Sequence, residues 1–299
     1  MTEVLRSAAM PRSTVRRKAR WQRQAGRIFV AAIRQVFFLL LIVWSLVPIL
    51  FIVISSFKRQ TEIFAYPPSL FFEPTLQHYI SLWTSWDAFF PTMINSAIIS
   101  VSATALTCVI CLMSGFVYSR YSSAFLGLSA VYLIAIRLLP PIVITLPLFP
   151  VVNALGLSDT HMVLVLLYTA FWVSICTMIM KTFIDEIPRS IDEAAAVDGA
   201  STLQLLWRVV APMALQGLAA CAIFVFVFSW NEYLFALIFT TTDAKTTPLI
   251  IAEVMDTPAG TNWGVLFAGV TIQLIPSTLL VVLTQRYLIA GLTAGSVKG

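Results

Sequence analysis

Side chains able to do covalent or redox chemistry are few in this chain, and their spacing argues against such a role. The two histidines, His78 and His161, lie far apart along the chain and suggest no metal pair. Cys108-Val-Ile-Cys111 has the spacing of a redox dithiol, but these two, like Cys176 and Cys221, fall in long apolar runs. There, thiols one helical turn apart read as small-residue packing, with no disulfide framework and no metal implied. Gly295-Ser-Val-Lys298 lacks the Gly-Lys-Ser/Thr order of a phosphate loop and follows no strand. No nucleophile stands beside a base, and carboxylates do not cluster in the apolar runs. The sequence offers no catalytic residue and no cofactor site of its own, and it is not expected to hydrolyse ATP.

Polar residues within apolar runs are better candidates, for binding. Arg137 stands just before Pro140-Pro141. Counted from Ala124 at about 1.5 Å per residue, it lies roughly 20 Å in, past the middle of a bilayer. An arginine there is costly against lipid and should face a bundle interior or a wet cavity. Its possible roles are a structural ion pair, snorkelling to the outer interface, or lining a substrate path. Trp230-Asn231-Glu232-Tyr233 is the second group, and Glu232 lies about 20 residues beyond Pro212, roughly 30 Å out and near the external surface. It reads equally as a hydrated interfacial carboxylate or as part of a gate. Trp172 joins Arg137, Asn231 and Glu232 as a candidate for the substrate path. Arg137 and Glu232 are also a candidate charge pair across a cavity.

Composition supplies the elements that must hold these groups. The 299 residues are 59% hydrophobic and 11% charged, where a soluble domain carries about 25% charge. Six apolar runs, at about 35–57, 94–119, 126–151, 162–182, 213–239 and 264–285, are each long enough to cross a bilayer as a helix. The expected fold is all-α and polytopic: six transmembrane helices over residues 35–299, preceded by a basic arm over 1–34. Placing both termini in the cytosol puts fifteen of the 19 Lys and Arg residues inside, nine of them in the arm. The net charge of +5 then follows from topology. The arm lacks interleaved aromatics and abuts a span, which favours anionic membrane lipid over nucleic acid as its partner. The first run is too long for a cleaved signal core and is expected to stay as an anchor.

Between the spans, residues 58–90 are external and rich in aromatics, with a short surface helix expected over 75–83. They read as an interfacial belt, compatible with a docking surface for an external partner. Pro140-Pro141 and Pro147 predict a kink in the outer half of the third span. Residues 153–159 form a short external turn.

The most distinctive stretch is a polar island, residues 183–212, between the fourth and fifth runs. Pro188 offers a helix start, and residues 190–197 read as a short helix with Asp192 and Glu193 in its early turns. Asp198-Gly199 signals a break, and Ser201 can cap a second short helix over 202–210, ending before Pro212. Two short helices about a glycine turn, small on the Ala194-Ala195-Ala196 side, make a knob for another protein's groove.

Glu193-Ala194-Ala195, then Gly199, then Val209, Ala211 and Pro212 resemble the signature of permease subunits in bacterial ATP-binding-cassette importers. Val209 and Ala211 replace the more usual Ile and Leu and keep the apolar character. Asn95-Ser96, Tyr118-Ser-Arg120-Tyr121, Leu155-Gly156-Leu157-Ser158-Asp159, Trp230-Asn231-Glu232 and the tail from Gly291 to Gly299 are similar to the carbohydrate, maltose-type subgroup. Many relatives carry a proline near Ser174, and its absence here predicts a straighter fourth span. The resemblance implies a bacterial inner-membrane permease that forms half of a translocation pathway for a sugar or sugar alcohol. It implies a second, different permease chain, two ATPase subunits that bind ATP and magnesium, and an external solute-binding protein. Glu193, Ala194, Ala195, Asp198 and Gly199 are then the surface that couples to the ATPase. An ion-driven carrier or channel, or a membrane assembly factor, are the other classes. The first usually buries acidic or histidine relays, and the second needs no coupling knob.

Overall fold

The computed structural model describes residues 12–69, 71–256 and 260–294. Among them every regular element is helical. Contacts divide the chain into two units, Met1–Ser55 and Ser56–Gly299.

The first unit is one helix, α1 (Arg12–Ser55), which carries the described part of the basic arm and the first apolar run without a break. Its segment Phe29–Ser55 is long and apolar enough to cross a membrane, and none of its most apolar stretch is buried within the chain. Trp44 is 82% exposed. A stretch this apolar on every side is suited to lipid.

In the second unit, α2 (Gln77–Thr84) matches the short external helix expected there. The core is built where three helices cross: α3 (Phe89–Arg120), α6 (His161–Asp185) and α10 (Leu215–Trp230). Small residues let the backbones approach. A Cβ on Gly115 of α3 would sit 2.7 Å from the Met180 Cβ of α6, and one on Gly217 would strike the Phe183 ring. The four free thiols, Cys108, Cys111, Cys176 and Cys221, pack at this crossing. Ser114 and Thr177 hydroxyls bond across it at 2.7 Å. Helix α6 runs unbroken through Ser174.

Two spans are bent. The third consists of α4 (Ala124–Ala135) with a 3-10 turn at Ile136–Leu138, then α5 (Pro141–Ala154), the two parts meeting at 97°. Pro140 and Pro141 mark the break, as the sequence suggested, because the residue before a proline is driven out of helical geometry. Pro147, also expected to interrupt the span, lies with Pro150 inside a continuous α5.

The fifth span departs further from expectation. The polar island's first helix is α7 (Arg189–Val197). Its second, predicted to stop before Pro212, continues: α8 (Thr202–Gln204), a π-helical stretch Leu205–Val210 and α9 (Ala211–Met213) form one segment. Pro212 occupies an early position of α9, where its missing N–H costs little. The break falls two residues later, at Ala214, with a 79° bend into α10. That helix ends at Trp230, well short of the predicted 239, and α11 (Leu234–Phe239) follows as a separate turn.

A second apolar cluster gathers α2, the start of α3, α12 (Thr247–Met255) and α13 (Trp263–Ala294). Gly264 of α13 lies directly on the His78 ring, whose Nε2 is 2.7 Å from the Lys58 carbonyl oxygen. Among the described residues four helices satisfy the length and apolarity of a span, and six spans result if each bent pair counts as one.

Candidate functional site

The polar knob is assembled from its own caps and from one arginine below it. Asp198 ends α7, and Gly199 takes a φ of +80°, the left-handed region open to glycine. The Gly199 N–H then donates to the Ala196 carbonyl and the Ala200 N–H to Ala195, the paired bonds of a Schellman ending. Ser201 and Gln204 close a reciprocal capping box at the next helix. Glu193, Ala194, Asp198 and Gly199 are exposed and Ala195 half-buried, and the predicted coupling residues lie together on the second half of α7 and the turn that ends it. Val197, 87% exposed, and Leu203, 60% exposed, add apolar surface to that tip.

Arg120, the last residue of α3, fixes the knob's orientation. Its guanidinium donates to the Ile184 and Ile187 carbonyls at 3.2 and 3.1 Å and pairs with Asp192 at 2.5 Å. Arg189 returns a bond to the Ser119 carbonyl at 3.2 Å. The Arg120 and Asp192 side chains are only 8% and 17% exposed. The Asp192 carboxylate also lies in the first turn of α7, where the helix dipole favours it.

Arg137 occupies the 3-10 turn at the bend of the third span. Its Nη1 donates to the Phe171 carbonyl at 2.9 Å, and its guanidinium lies 4.8 Å from the Phe171 ring and 4.9 Å from that of Trp172. Trp172 is buried among Phe171, Phe224 and Phe228, and its indole Nε1 has no hydrogen-bond partner among the described residues. Arg137 also lines a cavity of about 110 Å³ with Ile144, Leu148, Leu167, Phe171 and Phe235.

Glu232 is not the partner of Arg137. Its carboxylate accepts from the Tyr168 hydroxyl at 2.8 Å and from the N–H groups of Phe235 and Ala236 at 2.9 and 3.3 Å. The charge pair considered from the sequence is absent among the described residues, because depth along two helices says nothing about which faces meet. Asn231 is exposed, with Nδ2 bonded to the Val227 carbonyl at 2.8 Å. The four candidates thus fall into two groups, Arg137 with Trp172 and Asn231 with Glu232, joined by the rings of Tyr168, Phe171 and Phe235.

At the predicted external turn the sequence reading missed a lock. Asp159 has a φ of 55°. Its carboxylate accepts four consecutive backbone N–H groups, Thr241 to Ala244, at 2.9–3.1 Å, and the Thr241 and Thr242 hydroxyls at 2.7 and 2.8 Å. Burial pushes this carboxyl upward, but the converging donors outweigh it and hold it far below the usual carboxylate range. Asn95 donates to the Asp243 and Lys245 carbonyls and accepts from His161 at 2.8 Å, so the same loop is tied to α3 and α6. The run Thr240-Thr-Thr-Asp-Ala was the available signal, a string of small polar residues able to wrap an anion. Among the described residues no three His, Cys, Asp or Glu converge as a metal site.

Residues 109–293 match the family described as "Binding-protein-dependent transport system inner membrane component", and the chain belongs to it. It is a multi-pass inner-membrane permease component of an ATP-binding-cassette importer, a class in which a separate subunit hydrolyses ATP. The trehalose transport system permease protein SugB of Mycobacterium tuberculosis is 32% identical over 87% of this chain and 95% of its own length. The sulfoquinovosyl glycerol transport system permease protein SmoH of Agrobacterium fabrum is 29% identical over 87% and 91%. The fold is shared with a bacterial importer of the acidic polysaccharide alginate, at a TM-score of 0.72 and 18% identity, covering 94% of this chain and 99% of that one. The inward-facing MetNI methionine transporter aligns at 0.55 and 16% over 69% and 97%.

Proposed function

We propose that this chain forms one half of the path by which a carbohydrate or related solute enters the cell, and that force reaches it through the knob at residues 189–213. The observation that carries the reading is the Arg120–Asp192 pair, which joins an exposed apolar turn to the end of a core helix. An exposed helix pair with Ala194, Ala195, Val197 and Leu203 on its surface suits a groove on a separate ATPase. Two such ATPases, holding ATP and magnesium, act on this chain and on a second, different permease chain. A solute-binding protein delivers cargo on the outer side. Both termini are cytosolic, the orientation that the distribution of Lys and Arg favours, and anionic lipid faces the basic arm.

The carbohydrate assignment rests on relatives named for trehalose, trehalose/maltose and sulfoquinovosyl glycerol transport. Within this chain the solute meets Arg137 and Trp172, where an intramembrane charge, aromatic faces and a cavity coincide. Asn231 and Glu232 shape the outer end of that path. ATP-dependent uptake in proteoliposomes holding the complete assembly tests the reading, with ATPase retention on the purified permease as the second measurement. Loss of uptake with weakened ATPase retention in a Gly199→Val protein is the expected result. Full uptake by a Gly199→Val protein overturns the coupling assignment.

A further inference from the structure

Charge inside the bundle is unevenly matched. The Glu232 carboxylate is fully engaged by Tyr168 and by the start of α11. Arg137 has one hydrogen bond, to a neutral carbonyl, and two aromatic faces. The ion pairs among the described residues, Arg59–Glu73, Arg120–Asp192, Lys181–Asp185 and Lys245–Glu253, all lie elsewhere. Nearby rings take none of a guanidinium's N–H donors, so with one of its five spent on the Phe171 carbonyl the rest of the fork, shaped for paired anionic oxygens, is left.

Arg137 also lines the cavity of about 110 Å³, whose other walls, among them Ile144, Leu148, Leu167, Phe171 and Phe235, are apolar. A single water needs about 15 Å³ of such space, so there is room for a small charged group. The walls supply no counter-ion. Arg137 is half-buried, and a cation with no acid beside it favours an anion over a neutral hydroxyl, because charge-assisted bonds are about twice as strong. Packing on Phe171 and Trp172 also holds the guanidinium in place, so little ordering entropy is lost on binding.

We propose that Arg137 reads a negative charge on the transported solute, so that the cargo is a carbohydrate bearing an acidic group such as a carboxylate or a phosphate. This rests on the placement of Arg137 in the solute path. Calorimetry on the cognate external binding protein, over hexuronates, hexose phosphates and their neutral parent sugars, gives the first test. An acidic ligand bound in preference to its neutral parent is expected, and a panel in which no acidic sugar binds overturns the proposal.

Uptake of the acidic ligand by the complete assembly in proteoliposomes gives the second. Arg137→Gln should lower it at least about tenfold while ATPase association persists, and Arg137→Lys should retain a clear part of it. Unchanged uptake in Arg137→Gln removes Arg137 from the path altogether. Equal loss in Arg137→Gln and Arg137→Lys, with the assembly intact, leaves the path reading standing and overturns charge recognition. Where Arg137→Gln fails to assemble, the ligand panel and Arg137→Lys decide.

Discussion

Arg120 and Asp192 meet at 2.5 Å with both side chains largely buried, joining the end of a core helix to the first turn of the exposed knob. The same guanidinium holds the carbonyls of Ile184 and Ile187, so one side chain gathers the end of α6, the following turn and the start of α7. Removing one partner of a buried pair leaves an uncompensated charge, at a cost of about 3–5 kcal/mol. Arg120→Gln should therefore reach the membrane with α7 loosened. Proteolysis within residues 186–200 should accelerate, and ATPase retention should fall. Asp192→Asn should show the same defect more weakly, since Arg120 keeps its two carbonyls. Proteolysis and retention unchanged from the parent in both variants would remove the pair from the coupling route.

Gly199 isolates backbone geometry from packing. A Cβ there meets nothing within 4 Å, yet its φ of +80° lies where other residues are strained. Gly199→Val should destabilise the turn by at least about 1–2 kcal/mol and uncouple ATP hydrolysis from uptake. Gly199→Asn, a residue that tolerates this region, should retain much of the coupling. The ratio of ATP hydrolysed to solute accumulated measures the difference, and equal ratios in the two variants would show that the turn's conformation is irrelevant.

The Asp159 lock sets an acid dependence. Its folded carboxyl is held below the unfolded value of about 3.9, so its stabilisation is complete above that pH and is lost as pH falls towards the folded value. Asp159→Asn should lower stability at pH 7 by about 1–3 kcal/mol, from lost charge-assisted bonds. The gap between parent and variant should narrow below about pH 4. Thermal unfolding of the purified complex across pH reads both, and a gap that widens in acid would contradict the assignment.

Glu232 and Arg137 occupy separate networks, so their substitutions should act independently. A double-mutant cycle on uptake with Glu232→Gln and Arg137→Ala should show a coupling energy within about 0.5 kcal/mol of zero. Tyr168→Phe should resemble Glu232→Gln, because it removes the hydroxyl that holds the same carboxylate. A coupling energy above about 1 kcal/mol between Arg137 and Glu232 would revive a direct pair.

Much of the architecture was legible in the sequence because bilayer crossing leaves long apolar runs, and because Gly199, Ser201 and Pro188 act through local rules. What was not legible depends on distant groups meeting. No spacing links Asp159 to residues 241–244, or Arg120 to Asp192. Arg137 and Trp172 both stood out as candidates, but nothing in the sequence shows that the bend brings the arginine over Trp172 and Phe171. The misplaced end of the knob's second helix has a local cause. Pro212 looks like a stop signal, yet it is accommodated just past a π-to-α junction, in the short helical segment that continues the widened turns.

The widened turns at Leu205–Val210, followed by the corner at Ala214, make the link between knob and fifth span a poor pushrod. Compression along that segment is spent in flexing its joint, whereas the buried arginine clasp to α3 is short and stiff. On the proposed coupling route, a thrust on the tip would therefore reach the second span first and, through the seams α3 makes with α6 and α10, the fourth span and the fifth beyond its corner.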